Sequence, residues 1–120
     1  MDKVYEISLL MDFYGQLITE RQYQILDLHY NNDYSLAEIA ELVEISRQGV
    51  HDNIKKGKQM LRQFESRLGL VDKYMFQKSA LEEAVCELDK LEKNDSDMKP
   101  EQRKSLKRVR EIIAGMRGMI

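Results

Sequence analysis

Apolar positions recur at three- and four-residue spacing in one segment of this chain after another, which predicts helices. The clearest case lies between Tyr34 and Leu61, where two helices flank a tight turn. Ser35 stands at the first start. Glu38, three residues later, completes a capping-box spacing, in which a hydroxyl accepts from an orphan backbone N–H and a carboxylate reaches back. Leu36, Ile39, Ala40 and Val43 then make one apolar stripe. Glu44 and Ile45 form the turn and Ser46 caps a longer helix, whose inward residues are Val50, Ile54, Gly57 and Leu61. Small Ala40 allows a close crossing, and a side chain at Gly57 would hold the helices apart. Arg47, Gln48, His51, Asp52, Lys55, Lys58 and Gln59 point outward.

The remaining pattern surrounds that hairpin. Asp2 can cap a helix running to about Gly15, with Val4, Ile7, Met11 and Tyr14 on one face and Leu10 and Leu17 extending it. Leu9 and Phe13 lie off the stripe, which fits burial on two sides or contact with another chain; ordinary core is the simpler reading. Thr19 and Gln22 make a second capping box, followed by Ile25, Leu26 and Leu28 as a buried face near Tyr23 and Tyr30. His29 reads as a packing residue at the edge of the core, and Asn31-Asn32-Asp33 as turn chemistry. The long helix continues to Phe64 or Leu68, with Gly69 as its terminator.

A further helix is expected from Leu70 to about Glu92, carrying Val71, Tyr74, Met75, Leu81, Val85, Leu88 and Leu91 over about six turns. It is too long for a small hairpin domain to cover and needs a partner. Lys93 to Lys99 is a polar linker. Pro100 suits the first position of a last helix, where Leu106, Val109, Ile113 and Met116 form a stripe and Gly115 and Gly118 suggest a frayed end. Docking of this helix on the preceding one is the default. The expected organisation is an all-α chain: residues 1–68 as a helix-turn-helix bundle, and 69–120 as a long helix, linker and basic amphipathic helix.

Charge changes the picture by its distribution. The 120 residues carry a net charge of −2, which argues against indiscriminate nucleic-acid binding. Residues 1–42 hold two basic and eight acidic side chains, 43–67 six and three, 68–97 four and eight, and 98–120 seven and two. A basic helix therefore sits in an acidic body, and the tail is a second basic segment. A local basic stripe is the footprint of a groove binder, although Asp52 interrupts it. There is no apolar run of membrane-spanning length and no signal-peptide pattern, and the lone Cys86 excludes an internal disulfide; together these fit a cytoplasmic protein. Cys86 itself reads as a small apolar filler.

Catalytic constellations are missing. HExxH, GxSxG, phosphate-loop and dinucleotide patterns do not occur, and two distant His residues with one Cys make no metal set. The chain reads as a non-enzyme with no cofactor. Binding chemistry is better represented. The N-terminus of the long helix carries positive dipole and unpaired N–H groups that favour phosphate; Arg47 can fork onto guanine or phosphate, and Gln48 can pair twice with adenine.

The run SLAEIAELVEISRQGVHDNIKKGKQMLRQFE resembles region 4 of bacterial sigma factors, especially the extracytoplasmic type, in its S-x-x-E-I-A, turn, S-x-x-x-V order followed by Ile54, Gly57 and Leu61. LITERQYQILDLHY is similar to that family's entry helix. Gly49, Asp52 and Asn53 depart from it, standing where a sigma factor is often basic or bulky, and no promoter-melting region is present. Over the full chain, MDFYGQLITERQ, YSLAEIAE and SRQGVHDNIKKG resemble the YlxM family of small bacterial helix-turn-helix proteins, strongly up to Gly69 and more loosely beyond. That resemblance implies a DNA-binding regulatory protein associated with the signal recognition particle genes. Ser46, Arg47, Gln48 and His51 would face the major groove with Asp52 among them, and Lys55 and Lys58 would meet phosphates. The alternative is an adaptor that binds a protein or RNA component of the signal recognition particle without binding DNA. A homodimer and a monomer with its last helix folded back are both open.

Overall fold

The computed structural model describes residues 3–118. They form α1 (Lys3–Tyr14), α2 (Glu20–Leu26), α3 (Leu36–Val43), α4 (Arg47–Leu68), α5 (Leu70–Lys93) and α6 (Pro100–Gly118), with no strand among the described residues. The chain is all-α, as the periodicity predicts. It divides into two compact units, Met1–Val71 and Asp72–Ile120.

In the first unit α1, α2 and α3 each pack on α4, which serves as the axis. The buried residues of α4 are Val50, Ile54, Gly57 and Leu61, the four expected from their spacing. Around them lie Ile7, Leu10 and Tyr14 of α1, Ile25 and Leu26 of α2 and Ile39 of α3. Leu9 and Met11 are buried too, so α1 is covered on more than one side and Leu9 is ordinary core. Three expectations for α1 fail. Phe13, expected in the core, is 38% exposed. Val4 lies exposed near the helix start, and Leu17 is exposed because the chain tightens into a 3-10 turn at Gly15–Leu17. Three residues per turn take Leu17 out of register with the stripe. The Asp2 cap lies outside the described residues.

Local chemistry sets the helix ends. The Thr19 hydroxyl accepts from the Gln22 N–H at 3.0 Å, and the Gln22 carboxamide oxygen accepts from the Thr19 N–H at 3.1 Å. Beyond Leu26 the helix widens into a π-helical turn, Asp27–Asn31, that the sequence pattern does not reveal. Side chains hold it: Asn31 donates to the Asp27 carboxylate at 2.8 Å, and Asn32 donates to the Asp27 carbonyl at 3.0 Å. The reversal follows at Asp33, φ 58°, a left-handed conformation that a short acidic side chain tolerates. His29 Nδ1 lies 2.8 Å from the Tyr34 carbonyl oxygen and the ring meets Tyr30 edge-on, which makes it a positioned packing residue.

Gly69 ends α4 in the left-handed region, φ 62°, with its N–H donated to the Glu65 carbonyl. The start of α5 is then capped from a distance. The Leu70 N–H donates to the Tyr14 hydroxyl at 3.0 Å, and that hydroxyl donates to Glu65 Oε1 at 2.5 Å. The same carboxylate oxygen accepts the Val71 N–H at 2.9 Å. Two orphan donors of a helix start are thereby satisfied by residues of α1 and α4. Burial and the neighbouring Glu65 carboxylate raise the Tyr14 phenol above its ordinary value.

In the second unit, α5 and α6 meet along a seam of Leu81, Leu88 and Ile113, flanked by Ala84, Val85 and Leu106. Arg110 locks it, donating from Nε to Glu92 at 2.6 Å and from Nη2 to Asp89 at 2.5 Å. The basic helix therefore docks on the acidic one, as expected. Pro100 opens α6, and Gln102 accepts the Lys99 N–H at 2.9 Å. The helix runs through Gly115 to Gly118 rather than fraying at the first glycine. Cys86 is exposed, not a core filler, because it lies off the Leu81–Leu88 face. Leu91, Val109 and Met116, expected on inward stripes, remain about half exposed: each helix covers only a narrow strip of the other.

Candidate nucleic-acid interface

The hairpin of α3 and α4 is fixed by three caps in succession. Ser35 accepts from the Glu38 N–H at 3.1 Å, while Glu38 Oε1 accepts from the Ser35 N–H at 3.1 Å. These hydrogen bonds favour the ionised carboxylate and hold the Glu38 carboxyl below its ordinary value. Glu44 then adopts φ 58°, ψ 46°, a left-handed turn residue whose N–H returns to the Ala40 carbonyl. Ile45 N–H also reaches that oxygen, at 3.1 Å. Ser46 caps α4 by accepting the Gly49 N–H at 2.9 Å. The N–H groups of Arg47 and Gln48, in the first turn, have no acceptor within the helix by its geometry. With no acidic residue in that turn, the positive end of the helix dipole is uncompensated.

Gly49 permits this tight entry. A Cβ there would lie 3.2 Å from the Ser46 hydroxyl and 3.5 Å from Ile45 Cδ1. Asn53, which with Gly49 departs from the sigma pattern, donates to the Gly49 carbonyl at 2.8 Å and so serves the helix itself.

The candidate contact residues divide into two groups. Ser46, Arg47, Gln48, His51, Asp52 and Lys55 are exposed on one continuous face of α4. Lys58 is half-buried, its ammonium 5.7 Å from the centre of the Tyr30 ring, so its stem packs on the preceding element while the charge stays at the surface. Within the face, Gln48 is committed: its amide donates to Asp52 Oδ1 at 3.0 Å. His51 Nδ1 lies 3.9 Å from the same oxygen. Asp52 thus ties down its neighbours. Arg47 is exposed in the first turn of α4, and none of the described residues pairs with its guanidinium.

The exposed face extends beyond Lys58, to residues whose spacing alone did not single them out. A shallow groove lined by Lys55, Lys58, Gln59, Arg62, Gln63 and Ser66 continues the face toward the C-terminus of α4. Arg62 belongs to it, with Nε 3.8 Å from Glu6. The i, i+4 and i, i+3 spacing of Lys55, Lys58, Gln59 and Arg62 places them on that face.

With this geometry in place, the kinship of the chain becomes informative. The model of the UPF0122 family, described as "Putative helix-turn-helix protein, YlxM / p13 like", matches residues 1–106. The chain belongs to that family. It is similar to the UPF0122 protein of Acetivibrio thermocellus, 56% identical over 113 residues, covering 94% of this chain and 95% of the relative. The UPF0122 protein of Desulforamulus reducens is 42% identical over 96 residues, 80% of this chain and 82% of the relative. One from Clostridium perfringens is 41% identical over 99 residues, 82% and 88% respectively. UPF0122 membership and the capped α3–α4 pair agree: the chain is a helix-turn-helix protein. No described helix is long and apolar enough to cross a membrane. Among the described residues no group of His, Cys, Asp and Glu could hold a metal ion.

Proposed function

We propose that this chain is a DNA-binding regulator that lays the N-terminal half of α4 in the major groove. Ser46, Arg47, Gln48 and His51 meet base edges or the nearest phosphate; Lys55 and Lys58 follow the backbone. The observation that carries the reading is the exposed, basic face from Arg47 to Lys55 on a helix whose N-terminus is capped and rigidly mounted on α3. Gln48 and Asp52 act as one unit: one amide N–H of Gln48 is held by Asp52, which orients the carboxamide, and its second N–H and its oxygen remain for adenine. The role is binding rather than catalysis.

The test is retention of random genomic DNA fragments by the purified chain at low and moderate salt, with sequencing of what is held. An enriched motif supports a sequence-reading regulator. Retention without enrichment, lost steeply with salt, leaves phosphate contacts alone. No retention at low salt overturns the proposal.

A second reading is an adaptor for a protein or RNA component of the signal recognition particle. The YlxM resemblance and the exposed Lys104, Lys107 and Arg108 of α6 favour it. Under it, removal of residues 98–120 abolishes partner binding, whereas a groove reader keeps its DNA as long as α1–α4 remain folded.

A further inference from the structure

The basic character of α4 does not stop at its first turns. Arg47, His51, Lys55, Lys58 and Arg62 follow one another at spacings of four, four, three and four residues. At about 100° per residue they stay within roughly 80° of one another, so they form one ridge along the helix, about 22 Å from end to end. All are exposed except Lys58, which is half-buried beside Tyr30. Lys55, Lys58 and Arg62 also line the shallow groove that continues beside Gln59, Gln63 and Ser66. Between Lys55 and Arg67 the one carboxylate of α4 is Glu65, and it is committed to the Tyr14 hydroxyl and the Val71 N–H. This half of the helix therefore offers cations without the carboxylate that holds Gln48 in the first half.

The ridge bears on how α4 meets DNA. A helix standing on its N-terminus would carry Arg62 about 22 Å away from the bases that Arg47 reaches. A helix lying lengthwise fits the ~12 Å width of the major groove and sets one flank along one strand. Only the lengthwise pose gives a use to a flank that stays basic over four turns.

Arg62 is suited to that use. Its Nε lies 3.8 Å from Glu6 Oε1 of α1, beyond hydrogen-bond distance, and the two side chains are 46% and 41% exposed. An exposed pair of this kind is weak. A guanidinium approached only at Nε keeps both Nη groups for a phosphate, whose charge and fork geometry it matches.

We propose that α4 lies lengthwise in the groove, that Arg62 extends the phosphate track of Lys55 and Lys58 along one strand, and that Glu6 is the internal counter-ion that phosphate displaces from Arg62. The inference rests on the reading of α4 as a DNA-binding helix, and adds the pose of the helix and the residue that ends its footprint.

The test is binding of a random-sequence DNA duplex to the full chain, by fluorescence anisotropy, between about 50 and 200 mM KCl. Each phosphate contact contributes about 0.9 to the slope of log affinity against log salt. Arg62→Ala is expected to flatten the slope by about that amount, and Arg62→Lys to keep most of it. Arg67→Ala removes the same charge about 140° further round the helix and leaves the slope unchanged. Both arginines are exposed, so helix content by circular dichroism stays that of the parent. Glu6→Gln tightens binding about two- to fivefold at low salt, and the gain disappears in the Arg62→Ala background. A chain that binds no duplex at about 50 mM KCl overturns the DNA reading and this inference together. Duplex binding in which Arg62→Ala keeps the parent slope, or in which Arg67→Ala lowers it equally, overturns the lengthwise pose and leaves the DNA reading standing. A Glu6→Gln gain that persists without Arg62 overturns the role of Glu6 as counter-ion.

Discussion

A Cβ on Gly57 of α4 would lie 2.8 Å from Cδ1 of Leu26 on α2. Leu26 is fully buried, so it has little room to retreat. This contact sets how closely the helix that bears the candidate interface approaches the bundle beneath it.

Gly57→Ala therefore opposes two effects. Alanine gains about 1 kcal/mol of helix propensity, while overpacking costs about 1–3 kcal/mol. The clash prevails, and urea unfolding is expected to show a net loss of about 1 kcal/mol, with Gly57→Leu losing more. An alanine variant more stable than the parent would show that Leu26 can yield.

Tyr14→Phe removes the hydroxyl that links Leu70 to Glu65. The Leu70 N–H and the Glu65 carboxylate each lose a partner in a half-buried place, which costs about 1–3 kcal/mol. Amide hydrogen exchange is the discriminating measurement. Leu70 and Val71 should exchange faster while Val50 and Ile54 remain protected relative to global unfolding.

Glu44 supplies the left-handed turn between α3 and α4. A non-glycine residue there costs roughly 1–2 kcal/mol, and glycine gives back about 0.5–1 kcal/mol in unfolded-chain entropy. Glu44→Gly is thus expected to raise the unfolding midpoint modestly and leave the DNA-retention profile unchanged. A lowered midpoint would mean that the carboxylate itself stabilises the turn.

The Ser35–Glu38 box gives an acid limb to stability. The folded carboxyl titrates below its ordinary 4.5, so its contribution is complete above pH 4.5 and is lost as pH falls through the folded value. Glu38→Gln should flatten the dependence of unfolding free energy on pH below 4.5 and leave the neutral region nearly parallel to the parent. Equal acid slopes in the two proteins would contradict this.

On DNA, Arg47→Ala is expected to lose about 1–3 kcal/mol and to change base preference, read by competition binding on an enriched motif. Asp52→Ala should act oppositely. It releases Gln48 and removes a negative charge from the face, so retention strengthens several-fold at low salt and its sequence preference shifts. If Asp52→Ala weakens binding, the carboxylate is itself a reader.

What the sequence determined by itself is everything governed by interactions within one or two helical turns. The Thr19–Gln22 and Ser35–Glu38 boxes, the Ser46 cap, the Gly69 terminator and the stripe Val50, Ile54, Gly57 and Leu61 all follow from spacing alone, because cap and stripe geometry repeats in every helix. Placement of Arg47 and Lys55 on the exposed face came with them. The tertiary structure decided what depends on residues distant in the chain or on competition among neighbours. Tyr14 meets Glu65 across 51 positions, and no periodicity encodes that pairing. The widening at Asp27–Asn31 arises from side chains that also suit a simple turn. Cys86 is exposed because α6 covers only one strip of α5, and burial of a given face depends on where its neighbour lies. Gln48 donates to Asp52 one turn away, a choice of rotamer that residue identity leaves open.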